Sequence, residues 1–269
     1  MTSNVPIKLL IKVGGNALIA SDAMALFAAT VAKLKNANFE IVLTHGGGPQ
    51  ISAAFEAAGI ENSFIGGFRY TTKQGAQIVK RILCEEIQKD LINHLSNFNL
   101  KVTGLCGDQG IFNCKKRESL TSGERADLGF VGDVVSVDST EVKNQILQHR
   151  IPIVSAVGYD NSGYIYNINA DTGAAFLAAE LNMDYLVLLT DVDGVYADWP
   201  RQDSLLASIN REELAALIKS VEKGMAPKLE AAGIGLDNGV ENVVILNGGN
   251  GEALEKYFLV NERVGTTIR

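Results

Sequence analysis

The chain has 269 residues, 46% of them hydrophobic and 20% charged, an ordinary globular composition with room for one large α/β domain or two small lobes. Its formal net charge of −7 argues against a general nucleic-acid or membrane-surface role, while leaving space for a local basic pocket around an anionic ligand. The three cysteines, Cys84, Cys106 and Cys114, lack metal-ligand spacing and read as reduced, structural thiols. His45, His94 and His149 are scattered, so no metal site is expected. The start of the chain shows no basic segment followed by an apolar one, and no apolar run reaches the ~18 residues of a membrane span, so a soluble cytoplasmic protein is expected.

Taken in chain order, Ile7 to Val13 is an apolar run interrupted by Lys8 and Lys12 and reads as a buried strand, broken by Gly14-Gly15-Asn16. Ser21 and Asp22 then mark a helix start, with Met24, Phe27, Val31 and Leu34 at helical spacing. Phe39 to Thr44 is a second strand, ended by His45 and Gly46-Gly47-Gly48, and Gln50 to Ala58 a short helix stopped by Gly59. The spacing of Ile78, Ile82, Ile87, Leu91 and Leu95 predicts a long amphipathic helix from about Lys73 to Leu95.

Leu100 to Leu105 and Ile151 to Ala156 are predicted core strands, with residues 107 to 137 between them reading as hairpin-like excursions. Val142 to Gln148 is a helix, and a hairpin around Asn161-Ser162-Gly163 leads into Asn167-Ile168-Asn169-Ala170-Asp171. Thr172 to Leu181 is a small-residue helix, Tyr185 to Leu189 the strongest central strand, and Asn210 to Val221 and Pro227 to Leu236 are helices. Val243 to Leu246 and Val264 to Ile268 are the closing strands. Such strand–helix alternation implies an α/β protein with a mainly parallel sheet covered on both faces. The softest boundary lies near Val157 to Ser162.

The two glycine loops share one context: buried strand, glycine turn, helix. Consecutive glycines let backbone N–H groups converge without side chains in the way, and the helix N-terminus behind them favours an anion. No G-x-x-x-x-G-K-[ST] sequence occurs, nor a G-x-G-x-x-G after a strand, which excludes a P-loop and argues against a dinucleotide site. Charged residues fall where charge is costly. Lys12 lies inside an apolar strand, and an unpaired buried ammonium must find a ligand or a carboxylate. Lys228 opposes the dipole at a helix start. Asp171 at a helix start reads equally as a cap, Asp191 and Asp193 follow the strongest strand, and Arg69 follows a glycine pair from which it could fork onto a carboxylate.

Together these segments resemble the amino acid kinase family, most closely its N-acetylglutamate kinases. The resemblance rests on Ile11-Lys12-Val13-Gly14-Gly15-Asn16-Ala17, His45-Gly46-Gly47-Gly48-Pro49-Gln50, Gly67-Phe68-Arg69, Leu128-Gly129-Phe130-Val131-Gly132, Tyr166-Asn167-Ile168-Asn169-Ala170-Asp171, Leu189-Thr190-Asp191-Val192-Asp193-Gly194-Val195, Gly224-Met225-Ala226-Pro227-Lys228 and Gly265-Thr266-Thr267-Ile268. They occur in the family's order and span nearly the whole chain.

The resemblance implies a three-layer α/β/α sandwich with a central, mainly parallel sheet, forming a single kinase domain over residues 1–269. An N-terminal substrate lobe would cover about 1–157 and a C-terminal nucleotide lobe about 158–269. It implies ATP-dependent phosphorylation of the side-chain carboxylate of N-acetyl-L-glutamate, with Mg2+ accompanying ATP and held largely by its phosphates. Lys12 and Lys228 would flank the transferring phosphoryl group, with Asp171 between them. Gly14, Gly15, Thr190, Asp191 and Gly194 would serve the nucleotide and its phosphates. Gly47, Gly48, Arg69 and Asn167 would serve the acyl amino acid.

The chain departs from the family pattern at Tyr70-Thr71-Thr72, Leu83-Cys84-Glu85-Glu86-Ile87-Gln88 and Leu246-Asn247-Gly248-Gly249-Asn250. Two alternatives follow: a sister kinase acting on a carrier-protein-linked aminoadipate or glutamate, or a catalytically silent acylglutamate sensor. The former needs a basic docking face, but Lys73, Lys80, Arg81 and Lys89 are interleaved with Glu85, Glu86 and Asp90. Arginine-inhibited members of the family carry an extra N-terminal helix that links dimers into a hexamer; with the first strand starting near Ile7, the resemblance implies a homodimer insensitive to arginine. The sequence leaves a regulatory partner protein open.

Overall fold

The computed structural model describes residues 5–14, 21–221, 224–249 and 251–269. The chain opens with β1 (Ile7–Val13), α1 (Ser21–Asn36), β2 (Phe39–His45) and α2 (Gly48–Ala57). The hairpin β3 (Phe64–Ile65) and β4 (Phe68–Arg69) turns on Gly66 and Gly67, both at positive φ as a tight hairpin requires. One long helical rod follows, α3 (Lys73–Arg81) and α4 (Gln88–Ser96) joined by a π-helical segment, Ile82–Ile87. Next come β5 (Val102–Cys106), β6 (Phe112–Lys116), β7 (Val131–Val137), α5 (Thr140–Leu147), β8 (Ile151–Ser155), β9 (Val157–Tyr159) and β10 (Ile165–Ile168). The last part comprises α6 (Ala170–Glu180), β11 (Tyr185–Thr190), β12 (Ser208–Ile209), α7 (Arg211–Ser220), α8 (Ala226–Asp237), β13 (Asn242–Asn247), a short α9 (Ala253–Glu255) and β14 (Thr266–Ile268).

An eight-stranded sheet, in the order β12-β14-β13-β11-β1-β2-β8-β5, forms the middle layer. All its pairings are parallel except β13 with β14. Alternation along β1 assigns its faces. Leu9, Ile11 and Val13 join a core with α1, α2, the long rod and α9, whereas Leu10 joins the core built with α5, α6, α7 and α8. This is the expected three-layer α/β/α sandwich.

Strand parity then dictates where the functional side chains go. Lys12 shares the face of Leu10, so it projects toward α6. His45 shares the face of Ile41 and Leu43 on β2, and Ser155 that of Ile151 and Ile153 on β8, so both project toward the rod. Because the strands are parallel, Gly14, the His45 turn, Thr190 and Asn247 all emerge at one rim of the sheet, where open α/β sheets bind ligands.

The structure differs from the sequence-based expectations in several places. The predicted hairpin around Asn161-Ser162-Gly163 forms, β9 pairing antiparallel with β10, but it closes with β6 and β7 into a small barrel, β10-β7-β6-β9, through the long-range parallel pairings β10–β7 and β6–β9, which leave no local signature. The rod is not a uniform α-helix: the π-helical segment coincides with the departure at Leu83 to Gln88. There Cys84 meets Cys106 at the end of β5 in a disulfide with a Cα–Cα distance of 5.7 Å, correcting the reading of all the cysteines as reduced thiols. Cys114 is free and buried. Among the described residues no helix is long and apolar enough to cross a membrane.

Candidate active site

Asp171 lies in the first turn of α6, but it is not the cap. Asn169 takes that role, its side-chain oxygen accepting from the N–H groups of Asp171 and Thr172 at 3.0 Å each. The Asp171 carboxylate is therefore left for other partners. Lys12 Nζ lies 2.9 Å from its Oδ1, without hydrogen-bond angles and hence as a charge pair, and Lys228 Nζ donates to its Oδ2 at 3.4 Å. Lys12 is 6% exposed and Asp171 5%. Burial pushes the Asp171 carboxyl up, but the two lysines outweigh it and hold the group below the usual carboxylate range. The site thus contains two ammonium groups against one carboxylate, a net positive centre out of water. A side chain at Gly14 would collide with the Lys12 ammonium, so the first glycine turn clears the space the lysine needs. Gly15 lies outside the described residues.

One cavity opens on each side of this centre. The first, of about 290 Å³, is lined by Thr190, Asp191, Gly194, Tyr196, Trp199 and Lys228 among others. Its floor is tied together by hydrogen bonds. Gly194 packs against Thr266, whose hydroxyl accepts from the Val195 N–H at 2.8 Å, and a Cβ at 194 would strike that hydroxyl. The departure at Leu246 to Asn250 supports the same turn: Gly248 N–H donates to Thr190 O at 2.7 Å and Asn247 Nδ2 to Asp193 Oδ1 at 2.8 Å. Tyr196 and Trp199 form an edge-to-face pair at 5.1 Å, and the half-exposed Trp199 offers an aromatic face.

The second cavity, of about 190 Å³, is lined by Gly46, Gly47, Gly48, Phe64, Arg69 and Asn167 among others. Arg69 is buried. It donates to Gly48 O and Ser52 Oγ at 3.0 Å each and to Asn62 Oδ1, and its guanidinium stacks 4.6 Å from the centre of the Phe64 ring. All these partners are neutral, and among the described residues no carboxylate pairs with it. Asn167 Nδ2 donates to Thr71 Oγ1 at 3.3 Å, and Thr71 Oγ1 donates in turn to Arg69 O at 2.9 Å. The Thr71 hydroxyl thus ties Asn167 to the arginine strand. A Cβ at Gly47 would meet Ile87 Cδ1 and, at 2.8 Å, Leu83 Cδ2, so a side chain there would have to push both aside.

The structure thus gathers every described candidate around one centre: Lys12, Asp171 and Lys228 in the middle, Thr190, Asp191 and Gly194 on one side, Gly47, Gly48, Arg69 and Asn167 on the other. Sequence reasoning missed Tyr196, Trp199 and Ser52, and although it placed Ile87 on the apolar face of the rod, it missed that Leu83 and Ile87 of the π-helical segment wall Gly47. Trp199, the sole tryptophan, was the one accessible signal. Among the described residues the metal-spaced grouping is Cys84, Cys106 and Asp108, and both of its sulfurs are spent in the disulfide.

The profile described as the amino acid kinase family matches residues 8–247. The acetylglutamate kinase of Bifidobacterium adolescentis is 38% identical over 264 residues, 97% of this chain and 83% of that protein. The acetylglutamate kinase of Mycolicibacterium gilvum is 38% identical over 259 residues, 96% of this chain and 89% of that protein. Among solved structures, a protein of Streptococcus mutans UA159 superposes with a TM-score of 0.79 at 26% identity, covering 97% of this chain and 98% of that one. The carbamate kinase of Giardia lamblia bound to AMP-PNP shares the fold, with a TM-score of 0.68 at 19% identity over 98% of this chain and 99% of that one. The chain belongs to the amino acid kinase family.

Proposed function

We propose that this protein transfers the γ-phosphoryl group of MgATP to the side-chain carboxylate of N-acetyl-L-glutamate, giving N-acetyl-L-glutamyl 5-phosphate and ADP, the second step of arginine biosynthesis. The observation that carries this reading is the buried Lys12–Asp171–Lys228 centre between two cavities. A phosphoryl transition state spreads negative charge over its equatorial oxygens, and catalysis of such a transfer is positioning plus electrostatic stabilisation. Two lysines held by one carboxylate supply that stabilisation. The attacking carboxylate is ionised at neutral pH and needs no general base. In this reading the larger cavity takes the nucleotide and the smaller one takes the acid. Gly14 and Gly15 serve the phosphate, and Gly47 and Gly48 the phosphate and the acid. The magnesium arrives with ATP as part of the substrate. The two lobes meet near residue 157 and act as one domain.

Arg69 has a specific part in this scheme. A buried guanidinium whose partners are all neutral can take the α-carboxylate of the acyl amino acid as its counter-ion. Arg69→Leu is expected to raise KM for N-acetylglutamate by about 10- to 100-fold with a smaller change in kcat, the scale of one charged hydrogen bond, and Arg69→Lys should recover little of it. Steady-state kinetics with varied N-acetylglutamate at saturating ATP checks this; an unchanged KM would remove Arg69 from the acid site.

The carrier-linked alternative needs free positive charge on the rod, but Lys80 is paired with Asp108 at 2.6 Å and Arg81 with Glu86. This favours the free acid. A silent sensor has no use for the whole triad. ADP release measured with free N-acetylglutamate, with carrier-linked aminoadipate or glutamate, and with neither tests the assignment. Turnover on the free acid supports it; turnover only on the carrier-linked acid, or none with either, overturns it. The homodimer belongs to the same proposal, and light scattering should give twice the mass of the chain; a monomer or a hexamer would contradict it.

A further inference from the structure

The rim of β2 holds a buried hydrogen-bond relay that the phosphoryl-transfer scheme leaves unused. His45 and Ser155 are fully buried, and Gln88 is nearly so. Gln88 Nε2 lies 3.1 Å from Leu105 O, 2.9 Å from Ile153 O and 3.0 Å from Ser155 Oγ. Carbonyl oxygens only accept, so the amide nitrogen is the atom on that side. Gly104 makes room for it, since a Cβ there would strike the glutamine. Ser155 Oγ lies 3.3 Å from His45 Nε2, and His45 Nδ1 lies 3.0 Å from Gly46 O.

These contacts fix the state of the ring. A carbonyl beside Nδ1 requires that Nδ1 carry the proton. Burial, aided by the charge of Lys12 and against the pull of the Gly46 carbonyl, pushes the ring pKa down to about 4, so the imidazole is neutral. Nε2 then has a lone pair and accepts from Ser155, whose other acceptor, Leu83 O, stands farther off at 3.5 Å, and the Ser155 oxygen accepts from Gln88. The relay runs in one direction: Gln88 N–H to Ser155 O–H to His45 Nε2, then His45 Nδ1–H to Gly46 O.

Its end point matters because a trans peptide sets C=O and the next N–H in opposite directions. Holding the Gly46 carbonyl against the ring turns the Gly47 N–H away from it. Among the described residues this N–H meets no backbone acceptor, and Gly47 lines the smaller cavity. The preceding peptide is tied as well, the Gly46 N–H donating to Val13 O at 3.1 Å, which links the two glycine turns.

We infer that His45 is a positioning residue for the transfer, holding the Gly46–Gly47 peptide plane so that the Gly47 N–H faces the acid and the transferring phosphoryl group, with Ser155 and Gln88 selecting the ring tautomer. This rests on the phosphoryl-transfer reading of the Gly47 loop. It separates two polar substitutes. Asparagine places an amide N–H where Nδ1 stands and can still hold Gly46 O; glutamine places its amide where Nε2 stands and reaches Ser155 alone.

The test combines kinetics with ring spectroscopy on the full-length protein. His45→Ala and His45→Gln are expected to lower kcat by about 10- to 100-fold, less than the roughly 10²- to 10³-fold of an oxyanion donor removed outright because the Gly47 N–H is misdirected rather than deleted, with KM for ATP within about twofold. His45→Asn should retain kcat within about threefold of wild type, since the peptide plane stays held. Nitrogen-15 NMR of the wild-type His45 ring should show a protonated Nδ1 and a bare Nε2 at neutral pH, a readout independent of turnover. Should His45→Ala lose its cooperative melt, Ser155→Ala, which frees the tautomer while leaving the ring in place, is expected to lower kcat about three- to tenfold. A proton on Nε2, an unchanged kcat in His45→Ala, or rescue by glutamine equal to that by asparagine overturns the inference. A wild-type protein with the expected ring state but no acid-dependent ADP release would instead contradict the phosphoryl-transfer reading alone.

Discussion

Lys12→Met and Lys228→Met are each expected to lower kcat by about 10²- to 10³-fold or more, with cooperative melting retained. The magnitude follows from removing one preorganised cation aimed at a developing negative charge in a water-poor site. Methionine matches the length and flexibility of the lysine stem, so the cavity stays filled and the loss is one of charge. In Lys12→Met, Asp171 keeps Lys228 at 3.4 Å; in Lys228→Met it keeps Lys12 at 2.9 Å, so neither variant strands the carboxylate. Lys8 is the control. It sits on the same strand and face as Lys12 but at the opposite rim, far from the glycine turns, and Lys8→Met should leave kcat unchanged. Near-wild-type turnover in both Lys12→Met and Lys228→Met would remove the triad from the chemistry.

Asp171→Ala is expected to damage both stability and rate. It leaves the buried Lys12 ammonium and the partly buried Lys228 ammonium facing each other without a counter-ion, and breaking a buried charge pair in this way costs about 3–5 kcal/mol. For a chain of this size that lowers Tm by on the order of 10 °C. The double variant Lys12→Met, Asp171→Ala should recover part of the loss because one of the stranded charges goes with the carboxylate. Additive destabilisation in the double variant would contradict the pairing.

The same carboxylate gives a pH signature. Its folded pKa lies below its unfolded value, so its stabilisation is fully present above the ordinary carboxylate pKa and is lost as pH falls through the folded value. The wild-type Tm should therefore fall below about pH 4, and Asp171→Asn should flatten that part of the profile.

The legible parts of this molecule are those with a local signature. The strands around Lys12 and Thr190 announce themselves by apolar runs, and Lys12 itself by a charge where only a ligand or counter-ion justifies one. The glycine turns are legible because consecutive glycines are costly unless a backbone must come close to something. Asp171 is ambiguous in sequence, since a first-turn acid reads as a cap. The structure resolves this by giving the cap to Asn169. Arg69 stands out in sequence only through its glycine pair, and its burial among neutral partners needs coordinates to see.

What escapes the sequence is long-range. The barrel joins strands separated by loops whose lengths carry no pairing code. The π-helical segment shifts the register of the rod so that Leu83 and Ile87 wall Gly47, Cys84 meets Cys106 and Gln88 enters the core. In the sequence the shift shows only as the five-residue step from Ile82 to Ile87 in the apolar stripe, which does not say what neighbours it brings together. His45 escapes because its role is set by Ser155 and Gln88, and no spacing along the chain joins either of them to it.

The most direct measurement is to trap the product. An acyl phosphate reacts with hydroxylamine to give a hydroxamate, whereas free phosphate does not. Incubation with MgATP, N-acetyl-L-glutamate and hydroxylamine should yield N-acetylglutamyl hydroxamate in step with ADP, and Lys12→Met should abolish both together. ADP formed without hydroxamate, or hydroxamate that persists in Lys12→Met, would contradict transfer to the side-chain carboxylate at this centre.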